Sequence, residues 1–285
     1  MSSILVTGGT GTFGRAFIRE LLHADTYSRI CIYSRGEHAQ ADMRAALDSE
    51  MVRAPTRLRF FIGDVRDRWR LTRALEGIDH IVHAAALKRI EVGYYNPVEM
   101  VRTNVEGAIN VVESARDSGV AKVVFLSTDK AVQPISPYGL SKALAERIFL
   151  AADAHHKGTA FTVTRYGNVW NSAGSVYPTW RRILASGATE VPVTDPACTR
   201  FFMHVREATQ LVHSTLLTMR GGELVIPTLP AYRLGDLAAA MGARCGPPLG
   251  LPPWEKRHEY MAEENCSYTA RRMTIQELKD VIATT

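Results

Sequence analysis

Ile4-Leu5-Val6-Thr7-Gly8-Gly9-Thr10-Gly11-Thr12-Phe13-Gly14 is a short apolar strand that runs through spaced glycines into a helical pattern, with Phe13, Ala16, Phe17 and Leu21 on one face. Glycines at 8, 11 and 14 let the backbone turn tightly, approach a pyrophosphate and pack helix against strand. The helix amino terminus then faces the phosphate charge. A bare glycine pattern says little, but its place between strand and helix is the context that gives it meaning. Gly8, Thr10, Gly11, Thr12, Phe13 and Gly14 therefore read as the phosphate loop of a dinucleotide site.

Outward from this loop, the strand Arg29-Ile30-Cys31-Ile32-Tyr33 ends in Ser34-Arg35. An NAD site normally carries Asp or Glu there for the ribose 2′-hydroxyl, whereas an arginine accommodates the 2′-phosphate of NADP. The expected cofactor is NADP rather than NAD, and Glu37 is expected to open the next helix, where carboxylates suit the dipole. A third strand, Leu58 to Ile62, leads to Gly63-Asp64-Val65, placed to border an adenine. A fourth, His80 to His83, leads to Ala84-Ala85-Ala86, whose small side chains let a cofactor lie close. Alternation continues through Val123 to Leu126 and Phe161 to Thr164, which predicts an α/β, doubly wound sheet of about six or seven parallel strands.

Ser127-Thr128-Asp129-Lys130-Ala131 follows the Val123 to Leu126 run, and Tyr138-Gly139-Leu140-Ser141-Lys142 comes soon after. A Tyr-x-x-x-Lys pair opening a helix puts Lys142 one turn beyond Tyr138 on the same face, where an ammonium can lower the phenol pKa and help hold a nicotinamide ribose. Such a tyrosinate can take the proton from an alcohol while hydride leaves the same carbon. That spacing also arises by chance, and Asp-Lys after a strand is often a solvated turn or a plain ion pair. Its position beyond the carboxyl end of a buried strand, where open α/β sheets bind ligands, favours chemistry.

Composition narrows the class. With 285 residues, 46% hydrophobic and 22% charged, the chain suits one large domain, or one with a smaller lobe, and is not of a disordered class. The net charge of +5 is scattered rather than gathered in a stripe, so small anionic ligands explain it better than nucleic acid. The amino terminus runs straight into a strand, and no apolar stretch approaches the roughly 18 residues of a membrane span, which predicts a cytoplasmic protein with no membrane partner. Cys31, Cys198, Cys245 and Cys266 lack metal-type spacing and read as reduced structural thiols, so no metal is expected. His83 reads as a core residue, His155-His156 as a helix-end cap, and the Gly246 to Pro253 stretch as a surface loop.

Together these segments resemble the extended short-chain dehydrogenase/reductase superfamily and, within it, the inverting UDP-N-acetylglucosamine 4,6-dehydratases. The resemblance runs from about Ile4 to Glu259 and is carried by Thr7 to Gly14, Tyr33-Ser34-Arg35, Ile62 to Asp67, His83 to Lys88, Ser127 to Ala131, Tyr138 to Lys142, Thr164 to Val169 and Glu255 to Glu259. It implies a Rossmann domain over residues 1–168 with the catalytic segment, and a small carboxyl-terminal lobe over 169–285, mainly substrate-binding and interleaved with the sheet. It implies a UDP-sugar substrate and a homo-oligomer assembled through helices flanking the active site. Retaining relatives acting on dTDP-glucose carry Asp-Glu where this chain has Asp129-Lys130.

In such enzymes hydride leaves sugar C4, and the resulting ketone acidifies the C5 proton. The resemblance then gives Lys130 as the base at C5, if burial lowers its pKa, and Asp129, kept protonated by an apolar setting, as the acid at the C6 hydroxyl. Thr128 would bond the C4 oxygen beside Tyr138. Lys88, Tyr166, Asn168, Ser175, Val176, Thr194 and Arg200 would line the sugar-nucleotide pocket, with Glu259 in a segment that approaches the nucleotide; Arg200 could instead only brace a turn. Pro252 stands where relatives have a diphosphate-gripping arginine, and Asn171 and Ala173 replace a glycine and an arginine. A short helix around Thr274 to Ile282 is expected where relatives carry an extension. These departures leave open a 5,6-dehydratase giving an exocyclic alkene, a sugar-nucleotide 4-epimerase, or, outside enzymes, an NADP-sensing protein.

Overall fold

Apolar strands alternate with amphipathic helices from the first residues onward. The computed structural model describes residues 2–47, 57–155 and 158–285, so His156 lies outside the described residues, as does the side chain of His155. The first half runs β1 (Ser2–Thr7), α1 (Thr12–Ala24), β2 (Tyr27–Ser34), α2 (Glu37–Ala46), β3 (Leu58–Ile62), α3 (Arg68–Ala74) and β4 (His80–His83). Then come α4 (Ile90–Tyr95), α5 (Pro97–Val101), a π-helical turn (Arg102–Glu106), α6 (Gly107–Asp117), β5 (Lys122–Thr128), a 3-10 turn (Asp129–Ala131), α7 (Pro137–His155) and β6 (Ala160–Tyr166). The remainder holds β7 (Asn168–Val169), α8 (Val176–Ala185), β8 (Glu190–Val191), β9 (Thr199–Met203), α9 (Val205–Thr218), β10 (Leu224–Val225), β11 (Ala231–Arg233), α10 (Leu234–Ala240), β12 (Arg244–Cys245), β13 (Tyr260–Ala262), β14 (Asn265–Cys266) and α11 (Ile275–Ala283).

Seven strands form one parallel sheet in the order β10-β6-β5-β4-β1-β2-β3. Because side chains alternate across a strand, each strand feeds two cores. Ile4, Val6, Ile30, Ile32, Val82 and Val124 meet Phe17, Ile18 and Leu21 of α1 and Ala208, Val212 and Leu216 of α9. Leu5, Cys31, Tyr33, Ile81, Val123 and Phe125 meet Leu71 of α3, Val111 and Ala115 of α6 and Phe149 of α7 on the other face. Fully burying each such aliphatic side chain contributes roughly 1.5–3 kcal/mol, so the sheet is the rigid platform on which loops at its edge are held.

Residues 170–282 build a third core around Trp170, Tyr177, Trp180, Phe202 and Tyr232, packed beside the sheet. The two halves interleave, since α9 packs on the sheet and β10 belongs to it. Strand order reverses between β1 and β4, and that switch point opens a cleft beyond the carboxyl ends of the strands. The four cysteines are free thiols. No helix among the described residues is long and apolar enough to cross a membrane.

Candidate active site

Above the switch point lies a cleft of about 580 Å³. Its floor depends on glycine. Gly8 has φ +66°, and a Cβ there would sit 2.8 Å from the Ala85 backbone, while a Cβ on Gly14 would come within 2.5 Å of the Gly9 backbone. Only a bare backbone lets the β1 to α1 turn lie against the loop after β4 and present the α1 amino terminus to the cleft. The residues assigned to a dinucleotide from the sequence, from Gly8 through Ser34, Arg35, Asp64 and Val65 to Ala84, Ala85 and Ala86, line it together with Tyr138 and Lys142. Two buried hydroxyls on the same wall, Thr103 Oγ1 and Ser127 Oγ, have no hydrogen-bond partner. A backbone cradle plus unanswered hydroxyls fits the phosphates and ribose of a nicotinamide dinucleotide.

At the tip of β2, Arg35 is half-exposed with Nη1 3.7 Å from Asp64 Oδ2. Asp64 already accepts from Arg66 Nη2 at 2.7 Å and Nε at 2.9 Å; burial pushes its pKa up, but Arg66 and then Arg35 outweigh this and hold it below the usual range. Glu37 sits in the first turn of α2 as the sequence predicts, behind Gly36.

Ser136-Pro137 starts α7, with the Gly139 amide donating to Ser136 Oγ at 3.1 Å, so Tyr138 and Lys142 project from one face of its first turns. Lys142 is 4% exposed, donates to the Leu126 carbonyl and lies 3.9 Å from the Phe125 ring centroid. Burial pulls its pKa down to about 7, against the partial support of Glu146. Burial pushes the Tyr138 phenol up to about 12, and the groups opposing that rise are Lys130 and the Thr128 hydroxyl. Lys142, to which the sequence reading gave this task, is not among the groups that oppose the rise; Lys130 is, and the net shift of the phenol is upward.

Asp129 is fully buried on the 3-10 turn that follows β5, behind the cleft wall. Its Oδ1 accepts from the Thr128 hydroxyl and from Lys130 Nζ, both at 3.0 Å, while Oδ2 has no partner. Burial raises its pKa, as the sequence reading required of an acid, with Lys130 opposing and Glu259 adding to the rise. Lys130 departs from expectation. Burial does pull its pKa down, but Asp129 and Glu259, the latter with Oε1 3.4 Å from Nζ, outweigh this and hold it above the ordinary value. The condition that burial alone lowers Lys130 is therefore not met, because the same burial that desolvates Nζ also brings carboxylates against it.

Tyr166, Asn168, Ser175 and Lys88 line the cleft, and Asn168 Oδ1 accepts from Lys130 Nζ at 3.1 Å. Val176, which opens α8, and Thr194 lie outside this lining. Arg200 and Glu259 line a smaller cavity of about 40 Å³ beyond Lys130. Arg200 donates to Glu255 Oε1 at 2.5 Å and to the Thr199 and Arg257 carbonyls, which is the bracing role. Glu259 pairs with Lys256 at 3.0 Å and Lys130 at 3.4 Å. Burial pushes the Glu259 carboxyl up, but Lys130, Arg200 and Lys256 hold it below its ordinary range.

Several residues of the site were not singled out from the sequence. Asn104, buried in the π-helical turn, accepts from the Leu87 amide at 2.8 Å and donates to the Leu87 carbonyl and Ser141 Oγ, both at 2.9 Å, pinning the loop after β4 to α7. A π turn inside a helix often marks a functional position, but no local residue pattern announces it. Lys256 Nζ donates to the Val132 carbonyl, tying the 255–259 segment over the 3-10 turn. Arg165 joins Glu146 of α7 to the Met261 carbonyl.

The chain matches the family described as "Polysaccharide biosynthesis protein" over residues 4–276. It is 40% identical over 269 residues to a UDP-N-acetylglucosamine 4,6-dehydratase (inverting) of Campylobacter jejuni, covering 93% of this chain and 79% of that one. It is 41% identical to a UDP-glucose 4-epimerase of Rickettsia akari, covering 84% and 70%. Among solved structures it is similar to DesIV, a dTDP-glucose 4,6-dehydratase from Streptomyces venezuelae with NAD and TYD bound, with TM-score 0.82, 25% identity and coverage of 99% and 96%. Glycine cradle, Tyr138-Lys142 pair and parallel sheet agree with these matches, and the chain belongs to the polysaccharide biosynthesis protein family of extended short-chain dehydrogenases/reductases.

Proposed function

We propose that this chain is an NADP-dependent UDP-N-acetylglucosamine 4,6-dehydratase that inverts C5, working in the cytoplasm as a homo-oligomer, with residues 169–285 mainly serving substrate binding. The observation that carries the reading is the juxtaposition of Tyr138, Thr128, Asp129 and Lys130: a redox tyrosine beside an acid and an amine that share one hydrogen bond. Its support from relatives is the C. jejuni dehydratase at 40% identity.

A bound nicotinamide dinucleotide supplies the acceptor and donor of hydride. Tyr138 takes the proton of the C4 hydroxyl, and the Thr128 hydroxyl steadies the C4 oxygen. Lys130 removes the C5 proton, which a C4 ketone makes acidic. For this it must be neutral, and the geometry provides a route: a proton moved from Nζ to Asp129 Oδ1, 3.0 Å away, creates amine and carboxylic acid together. The direction for Asp129 is upward, because its side chain is sealed from water, and a neutral Asp129 withdraws the carboxylate charge that most supports the ammonium. Asp129 then delivers its proton through Thr128, which lies on the cleft wall, and the C6 hydroxyl leaves as water. Return of the hydride to C6 and uptake of a solvent-derived proton at C5, on the face opposite Lys130, complete a 4-keto-6-deoxy sugar inverted at C5.

Incubation with UDP-N-acetylglucosamine in deuterated water tests this, with mass and NMR analysis of the product. A 4-keto-6-deoxy sugar inverted at C5 and carrying deuterium there is expected. Lys130→Ala should lose C5 exchange, and Asp129→Asn should keep exchange while blocking loss of water, each slowing dehydration by about 10²–10⁴-fold. The R. akari relative favours a second reading, a 4-epimerase. That reading requires a C4 epimer with no solvent deuterium at C5, and an exocyclic alkene would identify the 5,6-dehydratase.

A further inference from the structure

Five cationic side chains line the main cleft: Arg35, Lys88, Arg89, Lys130 and Lys142. Three of them are answered. Arg35 lies beside Asp64, Lys130 beside Asp129 and Glu259, and Lys142 against the Leu126 carbonyl. Lys88 and Arg89 make no ion pair among the described residues. They are adjacent in sequence, and the charge of Arg89, with that of Lys130, adds to the desolvation that lowers the Lys88 pKa, so the three cations feel one another. The acidic groups of the lining are Asp64, taken by Arg66, and Glu91, exposed on the first turn of α4.

Arg89, itself exposed, reaches the turn that holds Gly174. Its Nε lies 3.3 Å, and its Nη2 3.6 Å, from the point where a Cβ on Gly174 would stand. Gly174 has φ +78°, and the turn it belongs to is closed by the Ser175 amide donating to the Ser172 carbonyl at 3.0 Å. The next side chain, Ser175, lines the cleft with a buried Oγ that has no hydrogen-bond partner. The Ala173 amide reaches Thr12 Oγ1 at 3.3 Å, so this turn stands where the cofactor loop meets the substrate side. A guanidinium close to a glycine turn, an ammonium next to it in sequence and an orphaned hydroxyl make a set of donors with no acceptor of their own, which is the complement of a phosphate group.

We propose that Arg89, with Lys88 and Ser175, forms the subsite for the diphosphate of the sugar nucleotide, Arg89 being a binding residue that neither position 173 nor position 252, alanine and proline here, can replace. This rests on the reading of the cleft as a sugar-nucleotide site. The shared chemistry is a pyrophosphate, which a substrate and a dinucleotide both carry, so the test must tell them apart. Titration calorimetry of UDP, UDP-N-acetylglucosamine and NADP⁺, with uridine measured by competition, is done on the parent, Arg89→Ala, Arg89→Gln and Arg89→Lys.

Arg89→Ala and Arg89→Gln should weaken UDP and UDP-N-acetylglucosamine by about ten- to a hundredfold while leaving uridine and NADP⁺ unchanged. Arg89→Lys should recover part of the loss, since it keeps charge without the fork. Arg89→Gln removes the charge while keeping more of the side chain than alanine does, so it carries the result if the alanine variant does not fold. Unchanged UDP affinity overturns the proposal, and so does a loss confined to NADP⁺, which would give these cations to the cofactor. A parent that binds UDP-N-acetylglucosamine without dehydrating it overturns the proposed activity and leaves this subsite to be decided by the variants. A parent that binds no nucleoside diphosphate overturns both.

Discussion

Lys130 and Lys142 face the same cleft and differ in what burial does to them. Lys142 meets a carbonyl and an aromatic ring, and desolvation pulls it down to about 7. Lys130 meets Asp129 and Glu259, and its ammonium is held despite the same desolvation. Burial removes water from both, so the difference lies in the company each keeps. A lysine poised near neutrality can adjust to a ligand's charge, whereas a lysine clamped between carboxylates releases its proton only to a group that is itself ready to accept one.

The comparison can be broken most severely at Tyr138, which lines the same cleft as the two lysines. Tyr138→Phe should cut turnover by about 10²–10⁴-fold while NADP⁺ affinity, measured by titration, stays near the parent's. Normal turnover would remove the phenol from the chemistry. The next largest effect concerns stability. The folded pKa of Lys142 lies below its unfolded value near 10.4, so between about pH 7 and pH 10 the unfolded chain binds more protons and stability rises with pH. Denaturant unfolding across that window should show a rise of up to about 4 kcal/mol in the parent that Lys142→Met lacks. Parallel curves for the two proteins would mean that Lys142 is not desolvated.

Glu259→Gln sharpens the other side. Removing that carboxylate takes away support for the Lys130 ammonium, so the Lys130 pKa must fall and the alkaline limb of C5 proton exchange must move to lower pH. Exchange rates against pH for the two proteins check this, and an unmoved limb would separate Glu259 from the base. The smallest effect is expected away from both lysines, at the end of β2. Arg35→Ala should weaken NADP⁺ by about ten- to a hundredfold and leave NAD⁺ unchanged, and equal affinity of the parent for the two cofactors would remove the reason for preferring NADP.

What could be read locally was what local rules control. The run from Ile4 to Gly14 states a strand, a turn that tolerates no side chain and a helix start, and the structure places Gly8 and Gly14 against backbone that leaves no room for a Cβ. The Tyr138-Lys142 spacing put both on one helical face for the same reason, a period of 3.6 residues. Arg200 shows the limit. Nothing in Thr199-Arg200-Phe201-Phe202 says that Glu255 will reach back to it, so the sequence alone does not give the ion pair that the fold of the 255–259 segment brings to Arg200.

The sequence by itself determined the parallel sheet, the glycine turn after its first strand and the nearness of Asp129, Lys130 and Tyr138 in one short segment, because each depends on residues close together in the chain and on the periodicity of strands and helices. Tertiary structure alone decided which charges are answered. Glu259 and Asn168 come to Lys130, Glu255 to Arg200, and the Gly174 turn to Arg89, all from distant parts of the chain. Electrostatic energy depends on separation in space and on exclusion of water, and neither quantity is written in the order of residues.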